Sequence, residues 1–163
     1  MKIFLINICR MIFLLAGLIP LAVGNWLHDV IMNDPYVFPT GAVRGAGFMV
    51  LAIWFVLGFL AYKLLTKKTE ALVLINFVPM VVFAYMLAWQ FRIINFPFTF
   101  PRLNLQMQFY TLPLARFTGS IVRWLPHFGW VSSLTYITLL AVAVMTVTSW
   151  LGWFAGRKIW QKS

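Results

Sequence analysis

The sequence predicts an all-α integral membrane protein with four transmembrane helices and a short outer interfacial amphipathic helix. Three observations lead there. Of 163 residues, 63% are hydrophobic and 10% charged, whereas a soluble domain carries about 45–50% apolar and about 25% charged residues. The mean hydropathy is +0.90, and the apolar residues fall into runs of about 20, the length a helix needs to cross a bilayer. Basic residues and tryptophans gather at the ends of those runs, as they do at membrane–water interfaces. Residues 1–163 read as a single polytopic membrane domain.

The first span is expected at about residues 11–30, after Lys2 and Arg10. Pro20 is placed to kink it near its outer end. Met11 to Gly24 also has the look of a signal-peptide core, with Ala22-Val23-Gly24 as a small-residue cleavage site; an uncleaved helix is the expectation adopted. Asn25, His28, Asp29, Asn33, Asp34, Pro35 and Pro39 then give a polar loop with turn chemistry. The second span is expected at about 42–65, closing on Lys63, Lys67 and Lys68. Glu70 precedes the third, about 71–91, which carries Asn76 and Pro79. A short link makes these two helices antiparallel neighbours. Residues 92–130 form the longest interruption. Pro97 and Pro101 forbid a regular helix over 95–101, and Leu112 to Leu125 has helical periodicity. The last span is expected at about 131–155, followed by Arg157, Lys158 and Lys162.

Orientation follows from the basic residues. Lys2, Arg10, Lys63, Lys67, Lys68, Arg157, Lys158 and Lys162 fall on one side; Arg44, Arg92, Arg102, Arg116 and Arg123 fall on the other. The positive-inside rule makes the first side, with both termini, cytoplasmic. Trp26, Trp89, Trp124 and Trp130 mark one interface, and Trp150, Trp153 and Trp160 the other. Trp54, mid-span, is expected to pack against another helix.

The net charge of +10 is spent on these flanks, where it meets anionic headgroups, so nucleic acid is not an expected partner. Cys9 is the only cysteine, which excludes an internal disulfide and a paired-cysteine metal or redox motif. Apart from His28 and Asp29 at the outer end of the first, no acid or histidine falls within an expected span, which argues against a proton relay and leaves Asn76 and the hydroxyls of the last span as the polar groups deeper in. Catalytic motifs are absent; no catalytic residue, metal or cofactor is expected. His28, Asp29, Asp34 and His127 share the outer side, but their spacing does not compel a site.

Two patterns remain. Arg116, Ser120, Arg123 and His127 follow spacings of four, three and four, so they share one stripe of a helix. Leu114, Phe117, Ile121 and Trp124 lie opposite, expected in the acyl boundary. The stripe is a candidate contact for an anionic lipid headgroup or polymer, since the arginine fork matches phosphate. Gly41 and Gly45, and Thr148, Gly152 and Gly156, recur every four residues, a spacing that lets helices approach closely; packing within the bundle or docking to another subunit would use it. The leading functional expectation is a non-enzymatic accessory, regulatory or immunity-type subunit of a bacterial plasma membrane, bound to a membrane-protein partner or to its own copies. An oligomeric small-solute channel or transporter, and a membrane enzyme acting at the outer interface, are the alternatives.

Overall fold

The computed structural model describes residues 2–33, 40–64, 68–90, 101–122 and 133–161, and these are helical almost throughout. Four apolar helical stretches are long enough to cross a membrane: Phe4–Asn33, Thr40–Leu64, Thr69–Ala88 and Tyr136–Trp160.

The first stretch is two helices, α1 (Lys2–Ala16) and α2 (Ile19–Asn33). Pro20 explains the break. It has no N–H to give the Ala16 carbonyl, and its ring crowds that turn. The backbone tightens instead: Gly17 N donates to Leu14 O at 3.1 Å, and Leu18 N to Leu15 O at 2.9 Å. Two expectations are corrected here. The interruption falls midway along the apolar stretch, not near its outer end, and helix begins at Lys2, so Arg10 lies inside α1 rather than ahead of it.

Helices α3 (Thr40–Leu64) and α4 (Lys68–Gln90) follow. The chain ends on α7 (Ser133–Trp160), which runs several residues past the expected end near 155. The tightest pairing is α3 with α7. Gly58 lies against the Ser149 carbonyl, Gly152 against the Phe55 carbonyl, and Gly156 against the Phe59 carbonyl. Each hydrogen in place of a side chain lets the two backbones touch. The two helices run parallel, and Val43, Ala46, Val50, Trp54 and Ala61 of α3 are buried in the core. Trp54, fully buried, packs as expected of a mid-span tryptophan.

α4 returns antiparallel to both. Leu72 clusters with Tyr62 and Trp153, and Asn76 Nδ2 donates to Ser149 Oγ at 2.9 Å. At one end α1 is tied to α4 by an ion pair, Arg10 Nε to Glu70 Oε1, at 2.9 Å.

Between α4 and α7 the chain inserts α5 (Pro101–Thr111), a 3₁₀ turn (Leu112–Leu114) and α6 (Ala115–Val122). Pro101 sits at the first helical position, where its missing N–H costs nothing. This segment is wedged into the bundle. The Phe109 carbonyl lies against Gly24 of α2; the Pro113 carbonyl and the Phe117 ring lie against Gly47 of α3. Gly24 is nine residues from Asn33 and Gly47 seven from Thr40. At 1.5 Å per residue, the wedge is sunk about 10–13 Å below those helix ends. The expectation of one amphipathic helix over 112–125 is corrected in its bounds and in the face it packs. Its start is a 3₁₀ turn, its regular part is Ala115–Val122, and residues 123–130 lie outside the described residues. Its buried row is Leu114, Thr118 and Val122; of the residues expected in the acyl boundary, Ile121 is 44% exposed, whereas Leu114 is buried within the bundle.

Candidate functional site

Thr118 can occupy a fully buried position because its hydroxyl donates to Leu114 O at 3.0 Å within its own helix. Tyr110 anchors the wedge from the other side. Its hydroxyl donates to the Gly17 carbonyl at 2.8 Å, at the break between α1 and α2. Burial pushes this phenol well above its ordinary range, so it stays a donor. Near the Asn33 end, Asn25 Nδ2 donates to Gln106 Oε1 at 3.2 Å, and the His28 ring packs on Phe109 with centroids 4.4 Å apart.

Of the four residues of the arginine stripe, the structure places Arg116, exposed on α6. Ser120 lies one turn further along the same helix; Arg123 and His127 lie outside the described residues. Of the histidine–acid group the structure places two. His28 Nδ1 and Asp29 Oδ1 are 3.7 Å apart, with Asp29 79% exposed, while Asp34 and His127 lie outside the described residues. Among the described residues no three His, Cys, Asp or Glu side chains come together as a metal site.

The expected packing glycines divide. Gly152 and Gly156 lie in the α3–α7 contact. Thr148, beside them, is half-buried and turns its hydroxyl back to Val144 O at 2.7 Å. Gly41 and Gly45 are exposed, with nothing among the described residues within 4 Å. Gly58, not singled out from sequence, makes one of the closest approaches in the bundle. A signal for it existed: Gly47 and Gly58 are eleven residues apart, three turns of one face.

The remaining constellation lies between α4 and α7. Asn76 Nδ2 donates to Leu72 O at 2.8 Å and to Ser149 Oγ at 2.9 Å. Its Oδ1 accepts from Thr146 Oγ1 at 3.4 Å, and Ser149 Oγ donates to Thr146 O at 2.8 Å. The polar groups that sequence left over in the core thus satisfy one another. Beside them runs a groove of about 330 Å³, lined by Thr69, Leu72, Val73, Asn76, Phe77, Met80, Thr146 and Trp150. It has apolar walls and a small polar floor.

One end of the bundle is basic and aromatic. Arg157 lies 5.9 Å from the Trp153 ring and its Nε donates to Gln161 at 3.3 Å. Lys63 Nζ sits 5.3 Å from the Trp160 ring. Glu70, the acid in the first turn of α4, is engaged by Arg10.

No family model matches the chain, and no curated protein or solved structure matches it.

Proposed function

We propose that this chain is a non-enzymatic accessory, regulatory or immunity-type subunit of a bacterial plasma-membrane assembly, with both termini cytoplasmic. It docks a partner membrane protein sideways through α3. One contrast carries the proposal. Gly24, Gly47, Gly58, Gly152 and Gly156 each sit against another segment of the chain, whereas Gly41 and Gly45 have nothing among the described residues within 4 Å. A small-residue pair on an exposed helix face suits a helix from another subunit. The test is a mild-detergent purification from the native host, with wild type beside a Gly41→Leu/Gly45→Leu variant. The wild type brings down a stoichiometric membrane partner and the variant loses it, both with the same thermal midpoint. A lone monomer that turns over a substrate overturns the proposal.

The wedge favours a second reading, an oligomeric small-solute channel or transporter. Segments that enter a membrane without crossing it occur where protein buries them or where they line a water-filled path. A path would have to come from symmetry among copies. Oligomeric state together with solute flux in liposomes separates the two readings. On either reading, the Arg116–Arg123 stripe is proposed to meet phosphate of headgroup or polymer at the surface opposite Arg157.

A further inference from the structure

We infer that the α4–α7 groove holds one acyl chain of an anionic phospholipid, with the lipid phosphate at the Arg157 end. The inference rests on the bundle lying in a bilayer and is independent of the proposed partner. It begins with register. Leu72 clusters with Trp153 and Asn76 bonds Ser149, so positions on the two antiparallel helices face each other at a constant sum. Continued to the helix end, that register sets Lys68, the first residue of α4, level with Arg157. Arg157 is seven residues beyond Trp150, so it returns to within about 20° of the groove face. Arg157 and Lys158 are exposed, and Glu70, in the neighbouring turn, is engaged by Arg10. The mouth of the groove is thus basic, and basic pockets between helices suit anionic headgroups.

Shape selects the occupant. The α4 lining runs from Thr69 to Met80, about 16 Å at 1.5 Å per residue. All the empty space of the groove, about 720 Å³, spread over that length gives a cross-section of about 45 Å², against about 80 Å² for a helix cylinder 10 Å across. A slot so narrow accepts a single extended chain, not a helix. Its chemistry agrees. Val73, Phe77, Met80 and Trp150 present apolar surface. The Asn76–Thr146–Ser149 floor is already hydrogen-bonded, so it asks nothing polar of the occupant.

The experiment is native mass spectrometry of the full chain released from nanodiscs of equal phosphatidylglycerol and phosphatidylcholine. Wild type should retain one phosphatidylglycerol preferentially. Arg157→Gln should lower that preference about five-fold, the value of one basic residue near a headgroup. Val73→Trp, which fills the slot, should lose the retained lipid of either kind. Met80→Trp serves the same purpose at the far end if Val73→Trp does not fold. Equal retention of both lipids by wild type overturns the inference. So does lipid retention unchanged by both tryptophan variants, or a change of oligomeric state in place of lipid loss, which would put a second copy in the groove. A chain that does not enter nanodiscs at all would instead refute the membrane reading beneath it.

Discussion

At the residue scale, two polar side chains carry more than their number suggests. Tyr110 hydrogen-bonds a carbonyl at the α1–α2 break. Tyr110→Phe should destabilise the bundle by about 1–2 kcal/mol, the cost of leaving a buried acceptor unpaired, measured by chemical unfolding in mixed micelles. The pH dependence has a definite sign. The folded phenol is raised above its ordinary value of 10.0, so above that value the unfolded chain binds fewer protons than the folded one. Its contribution is intact below pH 10 and is lost as pH climbs from there toward the folded value. Tyr110→Phe should flatten that alkaline loss. Asn76 is the second case. Asn76→Leu should cost about 1 kcal/mol, in the range of hydrogen bonds between membrane helices. A double-mutant cycle with Ser149→Ala should show coupling, and strict additivity would mean that the 2.9 Å contact contributes nothing. Asn76 was legible in the sequence as a lone amide in an apolar run. Its partners were not, because the last span offers several hydroxyls and only the α4–α7 register chooses among them.

At the element scale, the glycines decide which helices touch. Gly152→Leu would drive a side chain into the Phe55 carbonyl, and backbone cannot yield as a rotamer can. It should cost more than about 3 kcal/mol, at the upper end of overpacking. Gly45→Leu, on an exposed face, should leave bundle stability unchanged. Gly24→Val should expel the wedge while sparing the four long helices. Hydrogen exchange should then rise in residues 101–122 and stay low in α3 and α7; protection lost throughout would mean that the wedge is part of one cooperative core. Four long apolar helices were readable from hydropathy, because runs of about 20 apolar residues stand out in a sequence. The wedge was not. Its apolar face matches an interfacial helix equally well, and only Gly24 and Gly47 on distant helices make room for it. The row Leu114, Thr118, Val122 includes a threonine that hydropathy counts as polar, so the face that packs into the bundle did not stand out from the face expected toward lipid.

At the scale of the molecule, charge and packing make separate statements. In the orientation proposed above from the positive-inside rule, the Arg157 end is cytoplasmic. A membrane-impermeant thiol reagent on intact cells should label Asp29→Cys and spare Gln161→Cys, in a Cys9→Ser background. The opposite pattern would invert the topology. Four helices long enough to span, with the wedge seated between α2, α3 and α7, leave a groove beside α4 with room for an occupant. Function was the least legible property. Neither titratable clusters nor catalytic spacings single out a chemistry, so surfaces must carry the distinction.

The bond from Tyr110 to Gly17 also has a consequence in time. A ribosome emits Gly17 more than ninety codons before Tyr110, so α1 and α2 are made, and on the membrane reading inserted, with that carbonyl unanswered. Insertion cannot wait for the wedge. Until residues 101–122 emerge, α1 and α2 are hinged, and the nascent protein holds a vacant berth between α2 and α3. Truncation after Gln90 should therefore give a chain that remains open to quality-control proteases, and so should truncation after Val122, which answers the carbonyl but leaves α3 without α7; the full chain should mature past that checkpoint. Synthesis of the wedge and then of α7 would act as the signal that this protein is finished enough to keep.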